Sequence, residues 1–251
     1  DKIRRDRWKA IQERGFFPMY DEAPPLSDSP AWHDEFSKPT PIREWNSLSR
    51  VQKADQARRM ATFAAMVDQM DQGIGNVLDQ LERAGDLDNT LIFFLSDNGA
   101  NYEGGPFGFG GLNRGKALEK MGQKGTKNST GSSWAAASNT PLRLYKHFNH
   151  EGGIHTQLIA HWPKGFQRKG EHVSQRGHVI DLMATIVDVA GVEYPETFNG
   201  DRILPMEGAS LVPAFEGEEI ADRVLGFEHE ANRALFRDQY KLVSKNFTST
   251  D

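Results

Sequence analysis

Leu91-Ile92-Phe93-Phe94-Leu95-Ser96, followed at once by Asp97-Asn98-Gly99, is the stretch on which the fold turns. An unbroken apolar run of this length predicts a strand buried on both faces, and hence a parallel or mixed central sheet. The run ends in a carboxylate, a carboxamide and a glycine. At the carboxyl end of a strand in an α/β fold, ligands and metals bind. Asp97 and Asn98 offer hard oxygen donors of the kind that hold Ca²⁺ or Mg²⁺. Asp-Asn-Gly alone is a common turn sequence; the strand directly in front of it is what raises the metal reading. Two donors do not complete a site, so further carboxylates must come from elsewhere.

Working outward, residues 1–12 carry Ile3, Trp8 and Ile11 on one helical face. Residues 13–48 are rich in Pro, Asp and Ser and read as an extended segment pinned to a surface by Phe16, Phe17, Trp32 and Trp45. From Ser49 to Ala84, apolar residues from Val51 to Leu81 recur at three- and four-residue spacing, predicting one long helix stopped by Gly85. Gly73 and Gly75 are places where it would bend or pack closely. Met60, Met66 and Met70 read as core packing. Residues 100–138 form a long Gly-, Ser-, Asn- and Lys-rich loop, and loops of that length usually frame a site. Asn139-Thr140-Pro141 has the pattern of a helix start, with Glu151-Gly152-Gly153 ending the element. Leu158–Trp162 reads as a second buried strand. Residues 178–190 and 209–215 are helical in spacing. Three short runs between Arg223 and Lys245 predict a small antiparallel meander.

The chain has 251 residues, 37% of them hydrophobic and 26% charged, with a net charge of -5. That suits a folded globular protein and argues against broad nucleic-acid binding. An anionic substrate would have to be held by a few local cations. There is no cysteine, which removes disulfides, thiolate metal sites and a cysteine nucleophile. No apolar run reaches the roughly 20 residues of a membrane helix. The charged start, Asp1-Lys-Ile-Arg-Arg, shows no signal peptide.

Other chemistry is thinner. Lys146 stands five residues before Glu151-Gly152-Gly153; if the double glycine brings backbone near an anion, this ammonium could hold an oxyanion as a point charge. His147, His150, His155 and His161 are close in sequence, but their spacing matches no zinc pattern. The glycine-rich stretch 104–115 fails the dinucleotide fingerprint, since Asn113 replaces its third glycine, and residues 122–127 are no P-loop. Both read as mobile loops. Asn128-Ser-Thr and Asn246-Phe-Thr match the glycosylation sequon, which matters in a secreted eukaryotic protein.

Taken in order, these segments resemble the sulfatase family of the alkaline phosphatase superfamily. The strand with Asp97-Asn98-Gly99 is similar to the family's C-terminal metal-ligand motif. Asn139-Thr-Pro-Leu-Arg-Leu-Tyr-Lys146-His-Phe-Asn-His-Glu151-Gly-Gly-Ile resembles its lysine and Glu-Gly-Gly segment, leading into Leu158-Ile-Ala-His-Trp-Pro163. Ala61–Gly75 resembles the helix before the metal strand. Phe227–Asp238 with Tyr240-Lys-Leu-Val243 resembles the C-terminal subdomain of bacterial arylsulfatases.

The resemblance implies an alkaline-phosphatase-like α/β fold, with a mixed or parallel sheet flanked by helices, here incomplete, and a small C-terminal antiparallel subdomain. Residues 1–215 would be the C-terminal part of the catalytic domain and residues 216–251 the start of the subdomain. It implies hydrolysis of an aryl sulfate or sulfated sugar by a hydrated formylglycine, with Ca²⁺ in preference to Mg²⁺. Asp97 and Asn98 would be metal ligands, and Lys146 a catalytic and substrate-binding residue. Zinc phosphatases of the superfamily carry Asp-His where this chain has Asp97-Asn98, which favours the single-calcium type. The resemblance suggests a periplasmic or secreted protein, with the cytoplasm as the alternative.

The departures are as informative. No cysteine and no Ser-x-Pro-x-Arg occurs, so the formylglycine motif is missing, as is the family's N-terminal Asp pair. The chain is expected to be a sulfatase fragment, inactive alone. The alternatives are a non-catalytic module binding sulfated glycans and a phosphoester hydrolase of the same superfamily. Strands lacking their neighbours would expose apolar edges; homo-oligomerisation through those edges would cover them, and poor solubility is the other outcome.

Overall fold

The computed structural model describes residues 2–18, 21–26 and 41–245. Trp32 and Asn246 lie outside them. Helix α1 (Lys2–Glu13) buries Trp8 but leaves Ile3 exposed. Of the anchors expected in the extended segment, Phe16 meets His172 edge-on at 4.4 Å, and Trp45 packs against Trp134 at 6.1 Å.

Helix α2 (Arg50–Ala84) runs 35 residues, as the periodicity predicts. Its start is a capping box: Gln52 N donates to the Ser49 hydroxyl, and Ser49 N donates to Gln52 Oε1 at 3.0 Å. Its end is Gly85 in the left-handed conformation. What the helix faces departs from expectation. Met66 is 60% and Met70 50% exposed, with Phe63, Val67 and Val77 also open. The core reading is therefore corrected for Met66 and Met70, while Met60 is half-buried. Periodicity reports that an apolar stripe exists, not what covers it. Among the described residues nothing packs closely at Gly73 or Gly75.

The buried part of α2 is polar. Asp55, Gln56 and Arg59 are all buried. Asp55 Oδ2 accepts from Arg59 Nε at 2.7 Å, and Asp55 Oδ1 accepts from the backbone and side-chain nitrogens of Asn113, both at 2.9 Å. Arg59 then donates to the carbonyls of Phe109, Ser129 and Gly111, each at 2.6 Å. Gln56 reaches the Phe107 carbonyl. Burial works against the Asp55 carboxylate, but hydrogen bonds from Arg59 and Asn113 hold its pKa below the ordinary value. This hub clamps the glycine-rich stretch onto α2, so the expected mobile loop is instead a fastened one. Nor is residues 100–138 structureless: it carries a 3-10 turn (Gly105–Phe107), α3 (Lys116–Lys120) and α4 (Gly131–Ser138).

Strand β1 (Ile92–Leu95) pairs with β2 (Leu158–His161), and the pairing is antiparallel, with Phe93 opposite Ala160. Every sheet among the described residues is antiparallel, so the expected parallel pairing is not seen there. Burial on both faces is also corrected: Ile159 is 59% and Phe94 44% exposed. Asn139 is the C-cap of α4 rather than a helix start, and Glu151–Ile154 is itself a short helix, α5. The main apolar cluster joins Tyr102, Ala135, Ala136, Leu144, Tyr145 and Phe148, directly beneath the Lys146 segment. Tyr102 stacks on Tyr145 at 5.3 Å, which adds about 1 kcal/mol to the burial of two large rings.

Helix α6 (Asp181–Ala190) begins on a buried carboxylate. Asp181 accepts from His178 N at 2.7 Å and Ala209 N at 3.0 Å, and is ion-paired with Arg223. A two-residue ladder, β3 (Thr197–Phe198) with β4 (Asp201–Arg202), went unread in the sequence because it is too short for periodicity. Helix α7 (Val212–Glu216) follows. The predicted meander is present as β5 (Leu225–His229), β6 (Asn232–Arg237) and β7 (Tyr240–Ser244). Among the described residues no helix is long and apolar enough to cross a membrane.

Candidate active site

Asp97 and Asn98 lie just past the end of β1, Asp97 exposed and Asn98 half-buried. Asn98 Nδ2 donates to Asp97 Oδ1 at 3.0 Å. The turn is fixed from both sides. Ser96 Oγ donates to the Asn98 carbonyl at 2.9 Å, and Thr156 Oγ1 donates to the Ser96 carbonyl at 2.8 Å.

Glycines then bring distant backbone into contact. Gly99 N donates to Gly153 O at 2.8 Å. A Cβ on Gly99 would sit 1.7 Å from the Gly152 carbonyl oxygen, one on Gly152 2.0 Å from the Leu144 oxygen, and one on Gly153 1.8 Å from the Phe148 oxygen. No side chain fits at any of these three positions, which is why glycine occupies them. Asn139 completes this collar. Its Oδ1 accepts from Ala100 N at 3.0 Å, and its Nδ2 donates to the carbonyls of Leu144 at 2.9 Å and Gly152 at 2.7 Å. Lys146 N donates to Ala100 O at 3.2 Å. The segments carrying Asp97, Asn98 and Lys146 therefore share one backbone network. Among the described residues neither Asp97 nor Lys146 is held in an ion pair. As donors, one carboxylate and one carboxamide oxygen suit a hard cation such as Ca²⁺, and leave most of its usual six to eight positions to others.

Glu151 is committed elsewhere. It accepts from His155 Nδ1 at 2.7 Å and is ion-paired with Lys241 on β7. Burial alone would raise its pKa, but these two partners bring it down to about 2. His150 beside it is pushed down to about 4, by burial first and then by Arg143, Lys241 and Lys245.

The four histidines close in sequence do not converge. His155 serves Glu151, His150 is buried, and His161 sits exposed on β2. His147 instead meets the β5–β6 turn. His147 Nδ1 lies 3.1 Å from Glu230 Oε2 and 3.3 Å from His229 Nε2, across 82 residues of chain. Glu103 Oε1 lies 3.5 Å from His147 Nε2. Asn232 organises this cluster from below. It is 2% exposed, and its Nδ2 donates to the carbonyls of His147 and His229 at 3.1 Å and of Glu230 at 3.4 Å. The hairpin loop Glu230-Ala231 has both residues at positive φ, 51° and 62°, and His147 has φ 79°. Such a turn favours Asn-Gly. Non-glycine residues there cost on the order of 1–3 kcal/mol each and collect at functional sites. Sequence reading missed this cluster; Glu-Ala in a two-residue hairpin loop was the one local signal.

Similar proteins are known. A family model described as Sulfatase matches residues 14–192. An arylsulfatase of Klebsiella aerogenes is 31% identical over 220 residues, 82% of this chain and 46% of that protein. An uncharacterized sulfatase of Schizosaccharomyces pombe is 30% identical over 261 residues, 97% of this chain and 44% of its own length. An N-acetylgalactosamine-6-sulfatase of Rattus norvegicus is 29% identical over 181 residues, 71% of this chain and 28% of that protein. The chain thus spans less than half the length of these curated relatives.

Proposed function

The chain belongs to the sulfatase family, and from that premise we propose that it supplies part of a centre that hydrolyses sulfate esters. Asp97 and Asn98 would hold a Ca²⁺ ion through their side-chain oxygens. When bound, the ion supplies positive charge against which sulfate oxygens are held. Lys146 carries the complementary cation. Its ammonium donates to a sulfate oxygen and, as the ester bond breaks, toward the leaving oxygen, stabilising the charge that develops there. The glycine collar fixes the separation of these two segments, so little reorganisation accompanies the reaction.

The observation that carries this reading is the hydrogen bond from Lys146 N to Ala100 O, which ties the lysine segment to the turn that presents Asp97 and Asn98. Formylglycine does not fit this chain, which has neither a cysteine nor a Ser-x-Pro-x-Arg sequence. In our reading the nucleophile is contributed by residues outside the chain, so residues 1–251 alone do not turn over an aryl sulfate. Residues 1–215 then belong to the catalytic α/β domain, built on an alkaline-phosphatase-like mixed or parallel sheet, and residues 216–251 to the C-terminal subdomain.

The test is hydrolysis of an aryl sulfate and a panel of sulfated sugars by the protein that carries this chain together with its nucleophile, with Ca²⁺ and with a chelator. Chelation should abolish turnover. Lys146→Ala should lower kcat by about 10²–10³-fold, and Asp97→Ala should remove Ca²⁺ binding. Undiminished turnover in both variants, or a preference for phosphate esters, would reject the proposal.

A further inference from the structure

The geometry points to a second metal site, separate from Asp97 and Asn98, at which His147, His229 and Glu230 bind one divalent transition-metal ion of the zinc type. Three potential ligand atoms, two imidazole nitrogens and a carboxylate oxygen, converge to within 4.8 Å of one another. The two short separations, 3.1 Å and 3.3 Å, are those expected between ligands of a common ion. Zinc–nitrogen bonds of about 2.0–2.1 Å at tetrahedral angles place neighbouring donors roughly 3.3 Å apart.

Four features raise this above a chance ion pair. First, His147 Nδ1 and His229 Nε2 face each other, so two basic nitrogens share one position that a proton or a metal must occupy. Second, Glu103 Oε1 lies 3.5 Å from His147 Nε2, so a carboxylate stands on the side of this imidazole away from the ion, where outer carboxylates support ligating histidines. Third, two carboxylates, Glu230 beside the position and Glu103 behind it, balance a dication. Fourth, the ligand-bearing backbone is preset: Asn232 donates to the carbonyls of all three ligand residues. Imidazole nitrogens select zinc-like ions over Ca²⁺, whose ligands are oxygens. Three protein ligands leave a fourth position open to water or another donor. The ion would clasp the β5–β6 turn to the residue next to Lys146, joining the small sheet to the collar.

The experiment needs no turnover, so its outcome is independent of the sulfatase reading. The protein is equilibrated with Zn²⁺ in the presence of excess Ca²⁺, dialysed and assayed for bound zinc. Cobalt is then substituted and its visible spectrum recorded. One equivalent of zinc should be retained, and the cobalt form should show the intense bands of tetrahedral coordination. His229→Ala and Glu230→Gln should each lose that equivalent with an unchanged circular dichroism spectrum, since both side chains are exposed. Glu103→Gln should weaken zinc binding about 10–100-fold, while Asp97→Ala should retain the full equivalent. No retained zinc in the unaltered protein, or equal retention in His229→Ala and Glu230→Gln, would overturn the assignment.

Discussion

The collar around Asp97 and Lys146 and the cluster around His147 lie next to each other and differ in what makes their closest contacts. The collar is mainly backbone against backbone, with glycines at its closest contacts and the Asn139 carboxamide tying the strands of chain together. The histidine cluster is side chains held by one buried carboxamide, on backbone strained at three non-glycine residues. The contrast teaches how rigidity is obtained. Where main chains touch, the fold tolerates no added atom. Where a side chain does the organising, the geometry can be loosened without breaking the fold.

That difference can be broken at three places. The largest effect is expected from Gly99→Ala, whose Cβ would overlap the Gly152 carbonyl. Overpacking against fixed backbone should cost about 3 kcal/mol or more, read as a fall in the urea midpoint at unchanged m-value, with loss of any Ca²⁺ binding. Asn232→Ala should cost less, about 2 kcal/mol, because it strands the carbonyls that Asn232 serves but leaves them room to relax. Its signature is selective: the β5–β6 turn should lose hydrogen-exchange protection while the Gly99 amide, bonded to Gly153, keeps it.

The effect that is smallest at neutral pH is graded with pH. His150 is held neutral in the fold, with its pKa lowered from 6.5 to about 4. The unfolded chain therefore binds the extra proton first, and stability is complete above pH 6.5 and falls as pH drops toward about 4. The slope in that window should be at most about 1.4 kcal/mol per pH unit, and His150→Gln should flatten it. Glu151 acts lower, since its partners hold it near 2 against an ordinary 4.5. Its contribution is present above pH 4.5 and is lost as pH falls toward about 2. Thermal denaturation followed across pH separates the two.

The same contrast explains what could be read from the chain. Ser49, the apolar stripe and Gly85 announce α2 because capping and periodicity are local. Asp97-Asn98-Gly99 and Glu151-Gly152-Gly153 are contiguous, so each half of the collar was legible, and Lys146 was noticed through its distance from the double glycine. Asn139 was misread as a helix start because its side-chain hydrogen bonds run to Ala100, Leu144 and Gly152, while its backbone N–H closes the end of α4 on the Ala135 carbonyl. The antiparallel pairing of β1 was not legible either, since an apolar run reveals burial tendency and not partner direction. The Asp55–Arg59 hub and the His147 cluster depend on residues 44 to 85 positions apart, and no local pattern encodes such meetings.

Lys241 stands on the last described strand, yet its ammonium rests on Glu151, the acid directly ahead of the double glycine. The final hairpin is thus a latch on the lysine-bearing bend rather than an appendage. Deleting the strand from Tyr240 onward would leave that acid to His155 alone and loosen the bend, a loss felt far from the cut. Any tag or fusion placed behind Ser244 should leave this latch free to close.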